Sequence, residues 1–251
     1  MRPRNVVIIF FFFISTGLKA QSVRDTLINI AMFGFHYSFH MPAGDMADRF
    51  GNSNTVGGDF VFKSSSGWIA GLDYSFLFGE KIINRDDYFK GIRNKQGFVI
   101  DGNGMLAEVF LYERGFNAAV IIGKQFNIWN PNPNSGPFIQ LHGGFMQHYV
   151  RIENPYKTAP QVNGDYAKLY DRMTAGFSLS EFVGYRFMGN NRLWNFYAGF
   201  EFIQGFTKGM RTYNADDMTS DESKRHDLLY GIRVGWVIPL YGKTKRDFYY
   251  F

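Results

Sequence analysis

The chain has 251 residues, of which 45% are hydrophobic and 19% aromatic, with 28 Phe, 15 Tyr, 28 Gly and no Cys. Without Cys there is no disulfide framework, no thiolate metal site and no lipobox thiol to acylate. The formal charge of +5 falls to +2 when Arg2, Arg4 and Lys19 are set aside as part of a leader, so basicity gives no reason to expect a nucleic-acid partner.

The leader comes first in chain order. Arg2 and Arg4 form a basic start, Val6 to Ile14 is an apolar run, and Leu18-Lys19-Ala20 before Gln21 reads as a cleavage site. Residues 1–20 are therefore expected to be a secretory signal peptide, and 21–251 a single outer-membrane barrel domain. The apolar run is far shorter than the roughly 20 residues that span a bilayer as a helix. No later stretch could span as a helix either. An exported, aromatic-rich chain of this kind can place its rings on the outside of a transmembrane β-barrel.

Alternation with period two carries that expectation, because successive side chains of a barrel wall face lipid and lumen in turn. Eight segments show it, near residues 28–40, 55–63, 68–78, 107–126, 137–152, 172–187, 193–207 and 227–241. In the third, Trp68, Ala70, Leu72, Tyr74 and Phe76 alternate with Gly71, Asp73 and Ser75. In the seventh, Trp194, Phe196, Ala198, Phe200 and Phe202 alternate with Asn195, Tyr197, Gly199 and Glu201. The eighth sets Leu228, Tyr230, Ile232, Val234 and Trp236 against Asp227, Gly231, Arg233 and Gly235.

The connections support the same fold class: all-β, an antiparallel transmembrane barrel of eight strands. Residues 64–67, 130–136 and 189–192 are short and built of turn formers, whereas 41–54, 79–106, 153–171 and 208–226 are long and polar. Strict alternation of short and long predicts periplasmic turns and external loops. The 79–106 loop is long enough to hide one more hairpin, which leaves ten strands as the alternative.

Two strands break phase. A change near Met32 and Phe33 in the first predicts a β-bulge. In the sixth, Glu181 falls on the face of Phe177, Leu179, Val183 and Tyr185. The favoured expectation is a second bulge that turns it inward; the other is an outward Glu181 in contact with a protein partner.

The leader ending in Lys19-Ala20-Gln21-Ser22, the strand and loop rhythm, and Arg233, Gly235, Ile238 and Leu240 in the last strand resemble the small outer-membrane β-barrels of Bacteroidota, similar in architecture to OmpA/OmpW-type eight-stranded barrels. The resemblance covers the mature chain. It implies a C-terminal targeting signal read by the barrel-assembly machinery, carried by those four residues and terminal Phe251, although Gly242 to Phe251 follow the strand. It also implies lipid bilayer and lipopolysaccharide as surroundings.

Eight strands enclose a lumen just wide enough for side chains to fill. Asp59, Lys63, Asp73, Arg186, Glu201 and Arg233 are expected to face inward and pair into a buried charge network. His36, Ser38 and His40 share a face near the expected external end of the first strand, with Ser178 and Ser180 inward on the sixth, so a lipid-modifying enzyme is one reading. No motif surrounds these residues, and catalysis needs Ser and His within hydrogen-bond reach. His142 and His148 are too far apart along a strand to share a metal unaided. Asp216, Asp217, Asp221 and Glu222 lack the spacing of a calcium loop and are expected to be solvated. Neither metal nor cofactor is expected. Asp45 is expected to cap a turn whose Met46, Ala47 and Phe50 close the barrel mouth; residues 108–115 extend a strand or present a docking surface.

The leading expectation is a non-enzymatic barrel, a structural or accessory subunit of a secretion or barrel-assembly complex that contacts other envelope proteins. A narrow or gated, porin-like channel for small solutes and a lipid-modifying enzyme are the alternatives.

Overall fold

The computed structural model describes residues 27–129, 131–189 and 193–240. The leader and the terminal Phe251 of the targeting signal lie outside these residues. Eight strands form: β1 (Ile30–Gly44), β2 (Ser53–Lys63), β3 (Trp68–Gly79), β4 (Phe110–Gln125), β5 (Gly136–Glu153), β6 (Thr174–Met188), β7 (Asn195–Gly209) and β8 (Lys224–Leu240). Each pairs antiparallel with its sequence neighbours, and β1 pairs with β8 to close the barrel. Closure leaves no sheet edge, the condition for strands to cross a bilayer. No described helix is long and apolar enough to cross one.

The eight-stranded reading is thus the observed one. The 79–106 segment adds no membrane-crossing hairpin; it folds into a short 3-10 turn at Arg85–Asp87 and isolated bridges such as Arg93 to Val99 and Ile100 to Leu106. Two further short 3-10 turns, Pro160–Val162 and Gly164–Leu169, build the loop between β5 and β6.

The outer wall is apolar. Phe35, Leu72, Tyr74, Val120, Phe177 and Phe200 are more than half exposed, and many such side chains ring the barrel. All four Trp sit at the end with the short turns: Trp68 opens β3, Trp129 lies between β4 and β5, Trp194 precedes β7, and Trp236 is near the end of β8. Trp236 Nε1 donates to the Leu193 carbonyl at 2.7 Å, and Lys124 Nζ lies 4.8 Å from the Trp68 ring centre. Amphipathic rings prefer the headgroup level, so this girdle marks one bilayer boundary. A closed barrel with a lipid-facing apolar belt and an aromatic girdle is an outer-membrane barrel, and the chain resides in the outer membrane.

Neither expected bulge exists. β1 keeps unbroken register with β2 from Ile30 opposite Lys63 to His40 opposite Ser53. Ile30 and Met32 are inward and buried, while Phe33 and Phe35 face out. The apparent phase change arose because apolar residues stand on both faces of lower β1: the inward ones fill an interior that is apolar at that level. Glu181 likewise lies in unbroken register, opposite Leu141 on β5 and Phe202 on β7. It is exposed on the outer wall at the middle of β6, with Phe182 buried beside it.

β1 also runs further than expected, to Gly44, pairing Met41 through Gly44 with Tyr230 through Asp227. His36 and His40 are therefore deep within the barrel and not at its external rim.

Candidate functional site

The interior is built in three levels along the barrel axis. At the periplasmic level, Ile30, Met32, Val61, Ile69, Phe138, Phe182 and Tyr197 form a packed apolar plug. The Phe138, Phe182 and Tyr197 rings meet with centroids 5.2 to 5.9 Å apart, in tilted and edge-to-face contacts that aromatic pairs favour. At the external level, loop residues Met46, Phe50, Tyr88, Phe89, Val162 and Tyr170 pack onto inward strand residues including Leu77, Leu111, Val150 and Ile203. Apolar matter therefore seals both ends. Between the seals lies a polar layer.

Arg233 of β8 is the centre of that layer. Its Nη1 contacts Asp73 Oδ2 at 3.1 Å, Nη2 reaches Glu201 Oε1 at 2.5 Å, and Nε donates to Glu201 Oε2 at 3.1 Å. His40 Nε2 lies 2.9 Å from Glu201 Oε2, and the Ser38 hydroxyl donates to the same oxygen at 3.3 Å. His36 Nε2 lies 3.0 Å from Asp73 Oδ2. Arg233, Glu201 and Asp73 are almost wholly buried. Desolvation at such a site is costly, and only several well-made contacts per charge offset it.

The structure thus brings together three of the six residues expected to pair: Asp73, Glu201 and Arg233. Asp59 accepts from the Tyr197 hydroxyl at 3.0 Å. Lys63 and Arg186 stand apart, lower down: Lys63 Nζ donates to Asn134 Oδ1 at 3.2 Å, and Arg186 Nη1 to Gln125 Oε1 at 3.1 Å with its guanidinium 4.4 Å from the Phe138 ring centre. The single network expected over all six is corrected to one cluster with two separate cations. Alternation fixed which face each residue occupies; it carried no information on height along the axis.

A second polar cluster lies higher. His148 Nε2 is 2.8 Å from Asp227 Oδ2, which also accepts from Thr207 Oγ1 at 2.5 Å. Glu113 accepts from the Ser53 hydroxyl at 2.5 Å. The Glu113 role went unread because residues 108–115 were ambiguous as a strand; β4 in fact starts at Phe110 and turns Glu113 inward.

Among the described residues no Ser and His meet as a catalytic pair. Ser38 and His40 both turn to Glu201, and Ser178 donates to Asn117 Oδ1 at 2.7 Å. His142 and Ser180 are opposite each other on β5 and β6, yet His142 Nε2 and Ser180 Oγ have no hydrogen bond.

The cap is tied by side chains of its own loops. Met46 and Phe50 are buried in it, and Phe50 N–H donates to the Met46 carbonyl at 2.9 Å, one helical turn. Asp45 does not cap this turn; its carboxylate accepts from His226 N–H on β8 at 2.6 Å. Nor is the fourth loop's acidic group simply solvated. Asp216 accepts from Phe89 N–H at 2.6 Å and pairs with Arg172 at 3.2 Å, joining three loops. Burial raises the Asp216 carboxyl above its usual range, against the opposing pull of Arg172. Asp221 is held down to about 2: burial works against this, and the Ser223 hydroxyl and Arg225 outweigh it.

Comparison with known proteins finds shape alone. No family model and no curated protein matches the chain in sequence. Among solved structures, Ail, the attachment invasion locus protein of Yersinia pestis crystallised with the heparin analogue sucrose octasulfate, is 7% identical with a TM-score of 0.41, over 84% of this chain and 99% of that one. The N-terminal β-barrel domain of Pseudomonas aeruginosa OprF is 10% identical with a TM-score of 0.35, over 82% and 97%. The outer membrane protein AlkL, solved by solid-state NMR in lipid bilayers, is 11% identical with a TM-score of 0.35, over 91% and 98%. Likenesses this distant carry no function across.

Proposed function

We propose that this barrel is a non-enzymatic accessory subunit of an envelope assembly, of the secretion or barrel-insertion kind, and that it works through its outer wall. The observation that carries the reading is Glu181, exposed at mid-height of β6 in unbroken register. A carboxylate that faces acyl chains is costly, by up to a few kcal/mol at the bilayer midplane. A partner in the membrane that presents a cation or hydrogen-bond donor there removes this cost. Gln204, also outward, sits opposite Leu179, two residues above Glu181 on the neighbouring strand side, so the polar spot is wider than one side chain.

The sealed interior supports the same reading. Solute passage would have to displace the apolar cap, the charged layer and the aromatic plug together. Ser and His without a shared hydrogen bond, enclosed between seals, give a lipid-modifying enzyme no reactive pair at the outer leaflet.

The test is a mild-detergent pull-down of the tagged protein from native outer membranes, followed by mass spectrometry, with the Glu181→Leu variant alongside. The reading expects other envelope proteins in stoichiometric amounts with the parent chain and their loss with the variant. Recovery of the barrel alone from both would overturn it.

A further inference from the structure

We propose that His36, Asp59 and Asp73 form a buried site for one divalent metal ion of the zinc type, in the polar layer between the two seals. This departs from the sequence expectation of no metal and does not depend on the accessory role.

Strand register creates the site. Asp59 and Asp73 are direct cross-strand partners on β2 and β3, and both face inward. Two carboxylates so placed repel each other. His36 stands opposite Gly57 on the other side of β2. One donor atom from each of His36, Asp59 and Asp73 lies within 4.8 Å of the other two.

Much of the donor set is unpartnered. The side chains of His36 and Asp73 are fully buried, yet neither ring nitrogen of His36 makes a hydrogen bond, and Asp73 Oδ1 has no partner. His36 Nε2 approaches Asp73 Oδ2 to 3.0 Å but is misaligned for a hydrogen bond. That separation is close to what two ligands keep when each is about 2.0–2.2 Å from one ion. Orphaned buried nitrogens and oxygens are rare and call for a missing partner.

Charge points the same way. At this level Asp59, Asp73 and Glu201 face one guanidinium, that of Arg233, which contacts Glu201 with two nitrogens and Asp73 with one. Asp59 has no ion pair among the described residues; its hydrogen bond comes from the neutral Tyr197 hydroxyl. Lys63 and Arg186 also carry positive charge in the lumen, but they hydrogen-bond to Asn134 and Gln125 toward the periplasmic end, and neither is in direct contact with Asp59 or Asp73 among the described residues. A divalent ion would bring positive charge into direct contact with both carboxylates.

Space has been cleared for the ligands. A Cβ on Gly34 would lie 2.5 Å from both Asp59 carboxylate oxygens, and one on Gly57 would lie 2.8 Å from His36 Cε1. Glycine at position 34 lets Asp59 lean across β1; at position 57 a Cβ would meet the Tyr74 carbonyl at 2.3 Å before His36, so that glycine serves the β2–β3 approach as well as the imidazole. An imidazole with two carboxylates suits zinc and its transition-metal neighbours, whereas calcium and magnesium favour all-oxygen shells. With both ends sealed, the ion would enter as the barrel closes, so binding would be coupled to folding.

The test refolds the full mature chain from urea into detergent in metal-stripped buffer, with or without added Zn2+. Gel filtration in EDTA follows, then elemental analysis of the folded fraction identified by its heat-modifiable gel mobility. The proposal expects about one zinc per folded chain that EDTA does not remove, falling to about a tenth of that or less in Asp59→Asn and in His36→Asn, because a structural ion is retained only by its complete ligand set. Should a variant fail to fold, refolding of the parent with Co2+ gives a second reading: visible d–d absorption with an imidazole ligand is expected. A folded parent chain without zinc or cobalt bands would overturn the proposal. Equal zinc in parent and folded variants would overturn it as well.

Discussion

Arg233 holds Glu201 with two nitrogens, Nε to Oε2 at 3.1 Å and Nη2 to Oε1 at 2.5 Å, while its third nitrogen reaches Asp73. The three side chains come from β8, β7 and β3; β7 and β8 share a ladder, and the Asp73 contact ties that pair across the lumen to β3, which pairs with neither. Removing Arg233 leaves two buried carboxylates without their cation. Breaking a buried pair from one side costs about 3–5 kcal/mol. Arg233→Met is therefore expected to lower unfolding stability in detergent by that order, measured by urea titration. The double variant with Glu201→Gln should recover part of the loss, because less uncompensated charge then remains.

The two apolar seals act in series. Phe50 is buried in the cap and packs edge-on to His148 with centroids 5.4 Å apart. Phe50→Ala should destabilise the cap by about 3–5 kcal/mol, the usual result of emptying a buried aromatic site. Planar-bilayer recordings of this variant should still show no steady conductance, because the Phe138, Phe182 and Tyr197 plug is untouched. Steady current from Phe50→Ala alone would show that the lower level does not seal.

The fourth loop should respond to acid. Asp221 carries a folded-state pKa of about 2, below the ordinary 3.8, through Ser223 and Arg225 acting against partial burial. A depressed carboxyl pKa means stabilisation that is complete above about pH 4 and is lost as the pH falls through the interval down to about 2. Protection factors of the amides of residues 219–225, with the intrinsic pH dependence of exchange divided out, are expected to fall across that interval in the parent chain. In Asp221→Asn the protection should already be low at neutral pH and change little with acid.

Glu181→Leu is expected to leave the isolated barrel at least as stable in lipid vesicles, since a carboxylate is replaced by a side chain that suits acyl chains. Unfolding titrations in vesicles check this. A large loss of stability would mean that Glu181 makes an intramolecular contact, and it would weaken the reading of that residue as a partner contact.

Sequence alternation made the architecture legible because one face of every strand meets a uniform solvent, lipid. Trp68 to Phe76 and Trp194 to Phe202 needed nothing else. The interior was harder to read, since its character changes with height. Met32 looked out of phase only because the periplasmic level of the lumen is itself apolar, and Glu181 looked as though it belonged inside because a carboxylate on the outer face is costly in lipid. Pairing inside the lumen depends on which strands lie opposite one another and on the stagger between them. That is why Arg233 finds Glu201 and Asp73, while Lys63 goes to the turn residue Asn134 and Arg186 to Gln125 at the periplasmic end of β4. Loop ties such as Asp216 to Phe89 and Arg172 join segments more than forty residues apart and left no local pattern.

The most direct measurement is photo-cross-linking in native outer membranes, with a photoreactive residue placed at Leu179 or Val183 beside Glu181, and at Ile232 on the outward face of β8 as the control. The account predicts a discrete cross-linked protein from the β6 positions and lipid adducts alone from Ile232. Lipid adducts alone from all three positions would contradict it.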